Sequence, residues 1–176
     1  MNFKQFGVLA GLSLMSHQAW SACELVAQLA GKGYVTSPQY AASMQYQAAL
    51  NPLTQVGIWH VYDYPQQSLS DPKSFQTCAP IQRAGVEFFP VLQVQNRFAV
   101  INGLFMIITH REPDIHRMAQ RYGFKLISGL PNRFTAVFDV NAQVGSTLDY
   151  DAILRKLDRD KDIKTVMPVL IEADTR

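Results

Sequence analysis

Few residues in this chain are of a type and spacing that suit chemistry. The four histidines are His17, His60, His110 and His116. His60 lies between Trp59 and Val61 in a β-forming run, His110 closes an apolar run, and His116 follows Ile115 on a helical stripe. His110 and His116 are candidate proton sensors; the plainer reading makes both surface residues. No serine stands in a Gly-x-Ser-x-Gly elbow, and neither a Gly-rich phosphate loop nor an HExxH pair is present. Asp158-Arg-Asp-Lys-Asp162 has alternating carboxylates, but it lacks the glycine and distal glutamate of a calcium loop and reads as a helix end. Two cysteines occur, Cys23 and Cys78, and neither has a second Cys or a His at ligand spacing. These residues predict no enzyme, no cofactor and no metal site.

The first 21 residues read as a leader. Lys4 supplies positive charge, residues 6–15 form an apolar stretch too short to span a bilayer, and Ala19 and Ser21 are small residues at −3 and −1. Cleavage between Ser21 and Ala22 predicts an exported, periplasmic or secreted protein with no membrane attachment once the leader is removed. Cleavage one residue later would expose Cys23 as in a lipoprotein, but Trp20 stands where that signal prefers Leu. In an exported chain an even cysteine pair reads as a disulfide, here Cys23–Cys78, with two reduced thiols as the alternative.

The elements that would position any site are clearest at the C-terminal end. Residues 104–110 form an apolar strand. Glu112-Pro113-Asp114 opens a helix, with proline at its start and acids complementing the dipole. Ile115, Met118, Ala119 and Tyr122 share one face, and Gly123 stops the helix. Residues 124–128 return as a strand, residues 129–132 turn, and residues 133–140 alternate as a third strand. Ser146 and Thr147 are N-cap candidates for a second helix with Tyr150, Ile153, Leu154 and Leu157 on one face. Its other face, Arg155 to Lys161, is mixed in sign and reads as solvated. Residues 163–171 are the last strand, where Pro168 argues for an edge or a bulge. The expected fold class is α+β: a two-layer βαββαβ module of the ferredoxin-like kind, its antiparallel sheet carrying both helices on one face and leaving the other face open to a partner.

Residues 22–96 are less legible. Residues 24–29 suggest a short helix, and Ser37-Pro38 suggests a cap for a second helix reaching Ala49. Residues 55–63 read as one strand, 66–81 as a loop, and 86–94 as a strand in which Pro90 hints at an edge. Asn102-Gly103 between two apolar runs suggests a hairpin turn. The formal charge of the whole chain is +2, which does not favour nucleic acid or an anionic membrane as a partner. Residues 22–96 hold three Lys/Arg and four Asp/Glu, against twelve and ten in residues 97–176. The expected organisation is therefore a leader (1–21), a Gln- and Tyr-rich N-terminal α/β elaboration (22–96) and the βαββαβ module (97–176).

Two segments of the module carry a family resemblance. Leu104-Phe-Met-Ile-Ile-Thr resembles the first-strand signature of the subtilisin pro-domain inhibitor family, and Asp162-Ile-Lys-Thr-Val-Met-Pro is similar to its last strand. More narrowly, the chain resembles the external chaperones of secreted, kexin-like bacterial serine proteases. The resemblance implies a partner, a secreted subtilisin-like protease, and a role in trans: assisting its folding and inhibiting it. It implies that Ala173, Asp174, Thr175 and Arg176 form an inhibitory tail in the substrate cleft, P4-like to P1-like in that order. The alternative is an exported ligand-binding or envelope-assembly subunit that uses the same layer as scaffold.

Overall fold

The computed structural model describes residues 22–63, 77–141 and 149–173. The leader, the Ser146 and Thr147 caps, the loop residues 66–76 and tail residues Asp174 to Arg176 lie outside them. Within them the protein is mixed α+β, with three α-helices and nine strands, antiparallel in each described pairing. No described helix is long and apolar enough to cross a membrane.

The C-terminal half holds a long strand β6 (Arg97–Thr109), helix α2 (Glu112–Tyr122), strands β7 (Lys125–Gly129) and β8 (Thr135–Asp139), helix α3 (Tyr150–Asp158) and strand β9 (Ile163–Glu172). Laterally these strands run β9-β6-β8-β7. Pro113 sits at the start of α2 and Gly123 ends it in a left-handed conformation. The cap of α3 is Asp149, whose side chain accepts the Asp151 N–H. Pro168 stands beside a register shift on β9, whose only described strand partner is β6.

Residues 97–109 form one strand and not the hairpin expected at Asn102-Gly103. Gly103 does take a left-handed φ of 82°, but the step bulges the strand instead of reversing it. On one side β6 pairs with β9 on both sides of that step, with a register shift across it. It also pairs with β5 (Val86–Val94) over residues 97–100 and with β8 over residues 104–108. Asn141 occupies the space at the step: its Nδ2 donates to the Asn102 carbonyl at 3.1 Å, and Tyr150 O–H donates to its Oδ1 at 3.0 Å. The reversal that sequence placed at Asn102-Gly103 occurs earlier, at Gln95-Asn96, between paired Val94 and Arg97.

The N-terminal half differs from expectation in three further places. Helix α1 covers Glu24–Ala30, as its stripe predicts. Residues 35–43 are strand β1 (Val35–Ser43), not a helix, and only Ala48–Leu50 form a 3-10 turn. Pro38 sits in the interval between Thr36 and Ala41 where the pairing with β5 shifts register, so the strand absorbs a proline that would have suited a helix start. The run 55–63 is split by Gly57 (φ 59°) into β2 (Thr54–Val56) and β3 (Trp59–Asp63). Pro90 is not at an edge, because β5 lies between β1 and β6; it falls between the residues that pair with β4 (Ile81–Arg83) and those that pair with β6.

Alternation along β6 divides the apolar residues between two faces. Ala99, Ile101, Phe105 and Ile107 meet Ile115 and Met118 of α2, Leu154 and Leu157 of α3, and Val26 of α1 in the main core. On the other face Val100 packs with Val56, Trp59, Val61, Phe89 and Val91. The N-terminal strands therefore cover one end of the sheet face expected to be open. The remainder, around Leu104, Met106, Ile108, Val137 and Met167, is half-buried.

Cys23 and Cys78 form the expected disulfide and are buried. Around it α1 and α3 are joined without a local cap on α1. Cys23 offers no side-chain cap, and the buried Asp151 of α3 accepts the Val26 N–H at 3.0 Å instead. The Tyr150 N–H donates to the Cys78 carbonyl at 2.7 Å, and the Cys78 N–H donates to Asp149 at 3.3 Å. Closing a loop with a sequence separation of 55 residues stabilises by about 4 kcal/mol in the chain-entropy model.

Two predictions follow from this packing. Replacing both cysteines by alanine should lower unfolding free energy by about that 4 kcal/mol; a loss below about 1 kcal/mol in chemical denaturation would show that the bond constrains little. Gly103→Ala places a Cβ 2.0 Å from Asn141 Nδ2 at a positive φ. It should cost more than about 2 kcal/mol, and adding Asn141→Ala should recover part of the loss, because the two positions are coupled. Additive effects would refute that coupling.

Candidate partner face and tail root

The residues singled out for chemistry do not converge. His60 is half-buried in β3, edge-to-face with Tyr46 at 5.4 Å. His110 follows β6 and His116 lies on α2, both exposed. Among the described residues no group of three His, Cys, Asp or Glu could hold a metal ion. The Asp158–Asp162 run is used internally. Arg121 of α2 bridges Asp160 and Asp162, reaching Asp162 Oδ2 at 2.7 Å, and Tyr122 O–H donates to Asp160 at 2.8 Å. That ties the end of α2 to the turn before β9. A crevice between β1 and β5, lined by Pro38, Tyr40, Phe88 and Pro90 among others, encloses about 40 Å³. A space of that size holds a water or two, not an organic ligand.

Strand β9 carries, one after the other, the half-buried apolar end of the sheet and the root of the C-terminal tail. Met106 stands opposite Val137 on β8 and Met167 on β9, so all three side chains share a face; Leu104 and Ile108 lie on that face two residues to either side along β6. Strand β9 then continues past this patch to Glu172, which pairs with Ala99. Ala173, the one tail residue described, is half-buried against the cluster of Val56, Trp59 and Val100.

The Glu172 carboxylate is held from the N-terminal segment. Lys32 Nζ donates to Oε1 at 2.9 Å. Lys32, then the Tyr34 hydroxyl, hold this carboxyl below its ordinary value, with Arg97 adding to the effect. Burial first, and the Glu172 carboxylate second, push the Tyr34 hydroxyl up to about 12. Sequence gave no signal for this group: Lys32 and Glu172 are 140 positions apart, and each alone reads as a surface charge.

Compared with known proteins, the chain matches no family model, and no curated protein or solved structure is significantly similar to it.

Three carboxylates set opposed pH dependences. Glu172 is depressed for the reasons above. Asp160 is also depressed: desolvation opposes ionisation, but the Asp162 N–H, Tyr122 and Arg121 outweigh it. Their contributions are present above the ordinary carboxylate range and are lost as pH falls through the depressed values. Asp151 is raised, chiefly by burial, with hydrogen bonds from the Val26 and Leu25 backbone acting against it. It binds its proton more tightly when folded, so it adds stability as pH falls through its raised value. Asp151→Asn keeps an acceptor for Val26 but removes that compensation. Its unfolding free energy should therefore fall more steeply than wild type on acidification; a parallel pH profile by denaturant titration would contradict the assignment.

Proposed function

We propose that this protein is an exported folding chaperone and inhibitor acting in trans on a subtilisin-like, kexin-like serine protease, with no catalysis of its own. In this reading the C-terminal half is a ferredoxin-like pro-domain module. The observation that carries it is the placement of the tail root. Strand β9 runs along the half-buried apolar patch of Leu104, Met106, Ile108, Val137 and Met167, and continues on the same face to Ala173 at its other, covered end. A partner that extends along β9 from that patch would reach the tail where it leaves the sheet. The order β9-β6-β8-β7, with α2 linking β6 to β7 and α3 linking β8 to β9, supports the same reading. So does the disulfide, which favours an oxidising compartment.

The mechanism has two contacts. The apolar patch stabilises the native-like protease surface and so assists its folding. The tail binds the substrate cleft as an added strand, with main-chain hydrogen bonds for affinity and side-chain pockets for selectivity. Arg176 is the P1-like residue, matched by an acidic pocket; Thr175, Asp174 and Ala173 follow as P2-like to P4-like.

Truncation after Ala173 keeps that residue's packing and removes the charged end. It should weaken inhibition of a kexin-like subtilase by about 2–5 kcal/mol, the usual loss on removing one partner of a buried charge pair. Arg176→Lys should fall between, because lysine lacks the planar fork. If the truncated protein inhibits as tightly as the full chain, residues 174–176 are not the inhibitory element.

A further inference from the structure

We propose that Lys32 and Tyr34 are positioning residues: by holding the Glu172 side chain they fix the direction in which the chain leaves β9, and this gives residues 22–96 a part in inhibition. The inference rests on the reading of residues 173–176 as the tail.

Glu172 is the last residue of β9 in register with β6, so it is the pivot between sheet and tail. Two contacts from the N-terminal segment act there, one on each side of the pivot. The charged contact is Lys32–Glu172, with Tyr34 behind it. The apolar contact is Ala173 against the cluster that contains Val56, Trp59 and Val100. The turn that presents Lys32 is unusual. Gly31, Lys32 and Gly33 take φ of 66°, 55° and 70° in succession. Glycine adopts that region freely, but lysine is strained there, and such strain persists where the surroundings enforce it. The strained turn aims Lys32 at the pivot and leads directly into buried Tyr34. A carboxylate held at a strand end loses freedom before any partner arrives, which favours a ligand that must bind in extended form.

The Lys32 and Glu172 side chains are 65% and 36% exposed, so the ion pair alone is weak. Its loss should be read as a change of about fivefold, the upper range for an exposed pair. The test compares Lys32→Met, Lys32→Arg, Tyr34→Phe and a control, Lys164→Met, which removes an exposed lysine from β9, the strand that ends in Glu172. In the free full-length protein, amide exchange at residues 171–173 should quicken about fivefold in Lys32→Met and Tyr34→Phe. It should stay at the wild-type rate in Lys32→Arg and the control. Inhibition of a kexin-like subtilase should weaken by a similar factor in the same two variants, with thermal unfolding of the sheet unchanged. Unchanged exchange in Lys32→Met and Tyr34→Phe overturns the clamp. So does full-strength inhibition by both where wild type inhibits. If wild type inhibits no such protease, the tail reading fails by itself, and the exchange measurement still decides whether Lys32 and Tyr34 hold residue 172.

Discussion

The pairing of β6 with β9 is the constraint on which the rest depends. It joins residues 99–109 to residues 163–172, and on it rest both apolar clusters and the tail root. Strand β6 can serve so many neighbours because it bends at Gly103. Before the bend it pairs with β5 and so with the N-terminal strands; after it, with β8. A residue with a Cβ at position 103 would meet the Asn141 amide, which Tyr150 of α3 holds in place. The bend, the helix layer and the sheet are therefore one cooperative arrangement.

The same arrangement gives the N-terminal segment its place. Helix α1 is fastened to α3 by Asp151 and stands beside the disulfide. Strands β2 and β3 cover the Val100 end of the second sheet face and leave the Met106 end half-buried. In the proposed function, a covered end that receives Ala173 and a less covered end that receives a partner are complementary. One steadies the tail, and the other leaves apolar side chains only partly covered.

The elements after residue 104 were legible because each obeys a local rule. The stripe Ile115–Met118–Tyr122 and the stop at Gly123 set α2, and the stripe Tyr150–Leu157 set α3. Sequence expectation and structure part where local and distant preferences conflict. Asn102-Gly103 has the composition of a hairpin turn, yet pairing of β6 with β9 on both sides of it outweighs that preference. Ser37-Pro38 looks like a helix start, yet β1 is held between β3 and β5. The contacts at the tail root were invisible for a different reason. Lys32, Tyr34 and Glu172 meet only through tertiary structure, and no spacing in the sequence encodes a contact across that distance. The cysteine pair was legible from count and context alone.

The most direct test of the central claim is recovery of protease activity on refolding. A secreted kexin-like subtilase lacking its own pro-domain would be diluted from denaturant with and without this protein. Active enzyme would be counted after the protein is removed. Recovered activity should rise strongly with the protein present, and the gain should shrink when Met106 and Met167 on the apolar patch are replaced by charged residues in a variant that remains folded. Equal recovery with and without the protein would contradict it.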